Sequence, residues 1–366
     1  MSSPAVTLAD VAIEAGVHPS TVSRVLSRPQ LIGGPTRTAV HAAIDKLGYT
    51  PNRAARQLAG GRIGAIGMLV PDITNPFFAH VVRSVQQGCR RNGLTMLLAD
   101  TEQRAADELS EARALAGGVD GFVVCSPVAS TKDWLRVVEA APLVFVNRRA
   151  KGVASVALDQ QAIVELGVTH LRAAGHRSIA VVRGPRSYWS GSERDRVIRR
   201  LPGLVALGPV RPDFEAGVAL AAELIAAQVT GVLAFNDVQA LGIVAGYRAA
   251  GLSVPHDLSV VGSDDIAAAA MSDPSLTTVT APVQRLGDAA FDLMTELLAG
   301  STERPEVTLP VTLTVRSSTQ TLNSSINHTA ATHDAATHDA AKHDAATHTA
   351  ATHTATAHTA HRGNHQ

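Results

Sequence analysis

Apolar residues recur at two different spacings along the chain, and the change of spacing divides it. Near the start, Leu8, Val11, Ala12 and Ala15 fall three and four apart, which gives a helix one apolar face. Gly16 stands where a left-handed residue ends such a helix. Pro19 stands at a first-turn position, where a missing N–H costs nothing, and Thr21, Val22, Ser23 and Arg24 belong to a second short helix. Two short helices about a glycine-containing turn read either as a DNA-reading helix-turn-helix or as a helical hairpin in some other core. A third helix opens at Pro35-Thr36-Arg37, buries Val40, Ile44 and Leu47, and ends at Gly48. One more short helix is predicted from Asn52 to Ala59, stopped by Gly60-Gly61, and alone it is too short to be stable in water. It carries Arg53, Arg56 and a single large apolar residue, Leu58. Two readings stand: a hinge that folds on DNA and drives Leu58 into the minor groove, or a linker helix whose Leu58 packs on its own domain.

From Arg62 the pattern changes to short apolar runs alternating with amphipathic ones. Strands are predicted at Ile63–Val70, Thr95–Leu98, Gly121–Val124 and Leu143–Val146, with helices through Asn92, over Ala105–Ala116 and over Thr131–Ala140 between them. A second set follows, with strands at Ser178–Val182, near Leu204, at Val232–Phe235 and at Leu258–Val261. Its helices include Gln160–Ala174, Asp213–Ala227 and Val238–Ala250. A helix over Pro282–Leu298 and strands near Val307 and at Val311–Val315 complete the pattern. Strands alternating with helices mean parallel sheets covered on both faces, and two sets in series mean two similar lobes. In such sheets ligands bind outside the carboxyl ends of the strands. The polar residues there are Asp72 and Asn75, Asn147 and Arg148, Asn236 and Asp237, and Asp264 and Asp265. Asp72, Asp237, Asp265 and His176 are each read first as local structural groups, the two lobe-two aspartates 237 and 265 as helix caps.

Composition refines this picture. Net charge is zero over 366 residues, yet through Arg62 seven cations face three acids, the footprint of a DNA-binding module on a neutral body. Cys89 and Cys125 lie in apolar contexts without a CxxC, so reduced, buried thiols are expected. No charged start precedes an apolar run and no apolar stretch reaches spanning length, so a cytoplasmic protein is expected. From Asn323 an Ala-Ala-Thr-His repeat of five-residue period matches no helix or strand, and disorder is expected. Nine of the 15 histidines fall there: His328, His333, His338, His343, His348, His353, His358, His361 and His365. Imidazoles suit Zn, Ni and Cu, but a solvated tail without a role is the other reading, and no metal site is assigned. No GxGxxG turn and no nucleophile with a base follows the first strand of either lobe, so no enzyme and no cofactor is expected.

Several segments together resemble the lactose-repressor/galactose-repressor (LacI/GalR) family. They are TLADVAIEAGV, TVSRVL, TRTAVHAAIDKLGYTPNRAARQLA, IGMLVPDITNPFF, VDGFVV, HLRAAGHRSIAVV, GVLAFNDVQALG, VPHDLSVVGSDD and DPSLTTV, in this order from Thr7 to Ser318. The resemblance implies an α/β protein with an N-terminal helix-turn-helix headpiece and a periplasmic-binding-protein-like core of two doubly wound α/β lobes. It implies a headpiece over 1–50 and a hinge over 51–61. Lobe one would span 62–158, completed by about 283–308, and lobe two 159–282, completed by about 309–320, before the tail over 323–366. It implies a homodimeric repressor that binds double-stranded operator DNA, with affinity set by a small sugar-like or nucleoside-like effector. An activator or a corepressor-dependent regulator would share these residues. A soluble sugar-binding protein would lack the basic headpiece. Carried over by position, Thr7, Pro19, Ser20, Thr21, Ser23, Arg24, Asn52, Ala55 and Leu58 would meet DNA, with Leu58 as the minor-groove wedge. Asn75, Phe77, Asn147, Arg148, Arg194, Asn236 and Asp264 would meet effector. Three departures stand out. His18 replaces the usual Ser, a better helix cap. Val197-Ile198 replace a Gly-Phe. The aromatic usual at Ser263 is missing, and Tyr188 or Trp189 would supply the flat wall instead.

Overall fold

The computed structural model describes residues 6–27, 31–49 and 62–322. The expectations for Asn52, Ala55, Leu58 and the histidine-rich tail lie outside these residues.

The first three helices are α1 (Leu8–Glu14), α2 (Pro19–Ser27) and α3 (Gly34–Leu47). Thr7 and Asp10 form a reciprocal capping box at the start of α1: the Thr7 N–H donates to the Asp10 carboxylate at 2.8 Å, and the Asp10 N–H donates back to the Thr7 hydroxyl at 3.3 Å. Gly16 and Gly48 take positive φ at the ends of α1 and α3. Val11, Ala12, Val22, Val25, Val40, Ala43 and Tyr49 meet in a small core, and Lys46 reaches Glu14 at 2.7 Å across it. His18, where a serine would be the better cap, still caps α2. Its Nδ1 accepts the Ser20 N–H at 3.2 Å and lies 2.9 Å from the Ser20 hydroxyl, so the imidazole stands in for the missing serine.

Residues from Ala65 onward build two six-stranded sheets. Lobe one begins with β1 (Ala65–Val70), α4 (Pro76–Arg91), β2 (Thr95–Asp100), α5 (Ala105–Ala116), β3 (Phe122–Cys125), α6 (Thr131–Val138), β4 (Leu143–Val146) and β5 (Ala154–Leu158). Lobe two takes α7 (Gln160–Ala173), β6 (Ile179–Val182), α8 (Trp189–Ile198), β7 (Leu204–Leu207), α9 (Phe214–Ala226), β8 (Gly231–Leu233), α10 (Asp237–Ala249), β9 (Ser259–Asp264), α11 (Ala267–Met271) and β10 (Thr277–Thr280). The chain then returns through α12 (Val283–Leu298) and β11 (Glu306–Leu309) to lobe one, and ends on β12 (Thr312–Thr314) in lobe two. The strand orders are β11-β5-β4-β3-β1-β2 and β12-β10-β9-β8-β6-β7. Every pairing is parallel except β10 with β12.

The chain therefore crosses between lobes three times, after β5, after β10 and after β11. The sequence pattern did not mark β5 or β10. Both are short, and Ser155 in one and three threonines in the other interrupt the apolar run. Helix α12 belongs to lobe one because its Leu286, Phe291, Met294 and Leu297 join Phe77, Val81 and Val85 of α4 in one buried cluster. Among the described residues no helix is long and apolar enough to cross a membrane.

Candidate functional site

The carboxyl ends of the two sheets face each other across a cleft. Lobe one contributes Asn75, Phe77, Gln103, Ser126 and Asn147 to its lining. Lobe two contributes Tyr188, Ser190, Arg194, Phe235, Asn236 and Asp264. Four of these lie in left-handed backbone: Gln103 (φ 62), Ser126 (φ 43), Asn147 (φ 56) and Asp264 (φ 127). Non-glycine residues hold such angles only where their surroundings fix them, and such residues cluster at ligand sites. Asn75 has a structural task as well, because its Oδ1 caps α4 by accepting the Phe77 N–H at 3.0 Å. That leaves its amide NH₂ for the cavity. Asn236 is more fully spent, accepting from the Gln239 N–H at 2.8 Å and donating to the Pro212 carbonyl at 2.9 Å.

Arg194 is the centre of the site. It lies in the middle of α8, 7% exposed. Its Nε donates to Gln160 Oε1 at 2.7 Å, one Nη to the Phe235 carbonyl at 2.6 Å and the other to Ser263 Oγ at 3.4 Å. The guanidinium lies 4.5 Å from the Phe235 ring centroid. Three of its five N–H groups are spoken for, so two remain for a ligand. Burial pulls its pKa down to about 10, against the opposing charge of Asp264, so it stays cationic at neutral pH. Gln160 in turn donates to Asn147 Oδ1 at 3.1 Å, and Asn147 donates to Ser126 Oγ at 3.2 Å. A hydrogen-bonded chain thus runs from lobe one to Arg194 in lobe two. Ser263 also explains itself here: where an aromatic ring was expected, a hydroxyl accepts from the arginine.

The carboxylates behind Arg194 are perturbed. Burial pushes Asp264 well above the usual carboxylate range and the Asp237 charge adds to that, while Arg194 opposes it. Asp237 was expected to cap α10, but Asn236 is the cap. Asp237 is fully buried and ties three elements together, accepting from the Thr278 hydroxyl at 2.5 Å and from the Ile266 N–H at 2.9 Å. Asp265, likewise expected as a cap, pairs with Arg316 at 2.6 Å and accepts from Thr280 at 3.0 Å. Asp72 does serve its own loop, accepting from the Thr74 N–H at 2.8 Å. His176 orders a turn through Thr230 at 3.0 Å.

Two expected effector residues lie elsewhere. Arg148 turns away from the cavity, donating to the Pro127 and Ala129 carbonyls at 2.8 and 2.6 Å and to the Thr131 hydroxyl at 3.1 Å. Buried Glu108 holds the same loop from the other side by accepting the Val128 and Ala129 N–H groups and the Trp134 indole N–H. The arginine is therefore a brace for the loop after β3. Trp189 lines a neighbouring hollow, under the Arg149 guanidinium at 5.3 Å. Of the two, Tyr188 is the one that lines the cleft, and its hydroxyl has no partner among the described residues. Gln103, Ser126, Gln160, Ser190 and Phe235 were not picked out from sequence. Ser126 follows β3 directly, so the strand-end rule applied to every strand would have found it, whereas Phe235 is apolar and carries no such signal. Among the described residues no three His, Cys, Asp or Glu side chains are grouped to hold a metal ion.

On the headpiece, Pro19, Ser20, Ser23 and Arg24 are exposed along α2 while Val22 and Val25 are buried. The Thr7 hydroxyl is engaged at the α1 cap, 2.7 Å from Asp10.

Residues 7–52 match the description "Bacterial regulatory proteins, lacI family", and residues 168–319 match "Periplasmic binding protein-like domain". The HTH-type transcriptional regulator MalR of Streptomyces coelicolor is 33% identical over 334 residues, covering 85% of this chain and 96% of that protein. The chain belongs to the lacI family. A crystal structure of the Lac repressor dimer bound to operator and the anti-inducer ONPF has a TM-score of 0.75 at 28% identity, covering 87% of this chain and 100% of that one. A LacI family regulator from Enterococcus faecium with bound ribose has a TM-score of 0.63 at 30% identity, covering 71% of this chain and 100% of that one. This lacI-family chain is accordingly a DNA-binding transcriptional regulator and not an enzyme, with a helix-turn-helix headpiece ahead of a two-lobed α/β core.

Proposed function

We propose that the protein is a homodimeric repressor that binds a pseudo-palindromic operator and is controlled by a small, sugar-like or nucleoside-like effector held between the lobes. The observation that carries this reading is the inter-lobe cavity, where Arg194 keeps two N–H groups unspent beside Asp264, the Asn75 amide and the Tyr188 hydroxyl. The cavity holds one cation and one carboxylate, with aromatic rings between them, which suits an uncharged ligand rich in hydroxyl groups. The relative with bound ribose supports the same class of ligand. Dimerisation is supported by α9, whose outward face exposes Phe214, Val218 and Ile225, and by the Lac repressor dimer.

In this reading Pro19, Ser20 and Arg24 meet base edges in the major groove, Thr7, Thr21, Ser23 and Asn52 meet phosphates, and Ala55 and Leu58 enter the minor groove. Effector changes the lobe angle, and regulation requires that it bind one lobe arrangement better than the other. The test is selection of random duplexes by the purified protein, with and without a panel of sugars and nucleosides. A palindromic site released by one compound supports the reading and names the effector. A site bound only in the presence of a compound replaces induction with corepression. No enriched site rejects operator reading altogether.

A further inference from the structure

Helix α8 serves two cavities. Ser190 and Arg194 face the cleft, while Trp189, Glu193 and Arg196, at helical spacing, line a second hollow together with Arg200 in the turn after the helix. Its other walls are Arg149 and Thr308 from lobe one and the first crossing between the lobes at Asp159–Gln161. Both of its carboxylates have partners: Glu193 pairs with Arg196 at 2.5 Å, and Asp159 caps α7 by accepting the Ala162 N–H at 2.9 Å. Arg149 and Arg200 have no carboxylate partner among the described residues, although both line this one hollow. The Arg149 guanidinium is instead stacked against the Trp189 ring. The cleft contrasts with this, since its one arginine faces Asp264.

We propose that this hollow binds a small phosphate-bearing compound, with Arg149 from lobe one and Arg200 from lobe two on the phosphate oxygens and Trp189 against the remainder. Guanidinium forks match phosphate oxygens in number and plane, and two unneutralised forks suit a dianion. A ligand held from both lobes fixes the angle between them. Its presence reaches the cleft through Gln160, which lines the hollow and hydrogen-bonds both Arg194 and Asn147. Binding in the hollow and binding in the cleft are then coupled reciprocally. The assignment does not depend on what the cleft binds.

The test uses the full chain, titrated with inorganic pyrophosphate in one arm and ribose 5-phosphate in the other, followed by calorimetry and tryptophan fluorescence. The chain has two tryptophans, Trp134 fully buried and Trp189 lining the hollow, so loss of the change in Trp189→Phe assigns the optical signal to Trp189. The expected result is a saturable change in at least one arm, weakened about tenfold or more by Arg149→Met and by Arg200→Met. The tighter arm identifies free or esterified phosphate. Arg149, Arg196 and Arg200 are exposed, so these variants should unfold at the wild-type urea midpoint. Arg196→Met, whose arginine is already paired, should weaken binding by less than about threefold. The proposal is overturned by the absence of saturation in both arms or by saturation unchanged in both variants. It is also overturned by an equal loss in Arg196→Met, or by the same response to potassium chloride at matched ionic strength, because bulk charge would explain either.

Discussion

Arg194 is held by Gln160, the Phe235 carbonyl and Ser263 before any ligand arrives, so it is both a support and a contact. Arg194→Met leaves these acceptors without their donor and Asp264 without the nearby positive charge, and the expected loss is about 3 kcal/mol in urea unfolding. Operator affinity without effector should stay within about threefold of wild type while release by effector disappears; release at wild-type effector concentrations would remove Arg194 from the site. Asp237 gives a pH prediction. Burial raises its pKa to about 6 and the Asp265 charge adds to this, while the Thr278 hydroxyl and the Ile266 N–H pull it back. A raised carboxyl binds its proton more tightly in the folded chain, so its stabilisation is complete below about pH 4 and is lost as pH rises through 6. From pH 4 to 7 the unfolding free energy of Asp237→Asn should therefore gain on wild type by up to about 3 kcal/mol; parallel pH curves would contradict the assignment. At this scale the sequence was legible in residue type and less so in direction. Asn147 and Arg148 are neighbours at one strand end, yet one faces the cleft and the other braces a loop. Tyr188 and Trp189 divide between two cavities in the same way. Which way each points is set by partners distant in the chain, Gln160 for Asn147 and the 127–131 loop for Arg148.

Elements were legible where their period was strong. The buried stripe of α4 and the all-apolar β1 followed from spacing alone. Strands β5 and β10 did not, because each is defined by the neighbours it pairs with more than by its own residues. The His18 cap was missed because an imidazole seldom replaces a serine, and only geometry shows its Nδ1 reaching the Ser20 N–H. His18→Ala should destabilise α2 by about 1 kcal/mol, seen as faster amide exchange along Pro19–Ser27, while His18→Ser should preserve protection. Helices α9 and α10 pack at glycines: a Cβ on Gly242 would run into the Phe214 carbonyl, and one on Gly217 into the Gln239 carbonyl. Gly242→Ala should cost about 1–3 kcal/mol, measured as a lower urea midpoint, because backbone rather than a flexible side chain must yield.

For the whole molecule, two lobes were visible in the repeated strand–helix pattern, but the three crossings came only from the family resemblance, since no local period encodes which sheet a strand joins. The exposed face of α9 places the dimer prediction here. Val218→Asp, on the proposed interface, should shift the protein to monomers in light scattering and weaken operator binding by about tenfold or more. A dimer of unchanged stability would move the interface elsewhere. The order of the strands also has a consequence for synthesis. The last strands among the described residues, β11 and β12, are edge strands that cover β5 and β10. Until residues 309 and 314 have been made, β5 in lobe one and β10 in lobe two respectively are open edges with unpaired backbone N–H and C=O groups, which is the arrangement that recruits foreign strands. Translation halted before residue 306 therefore leaves a nascent chain with both of these borders adhesive, and a premature stop there yields an aggregating fragment rather than a smaller working protein.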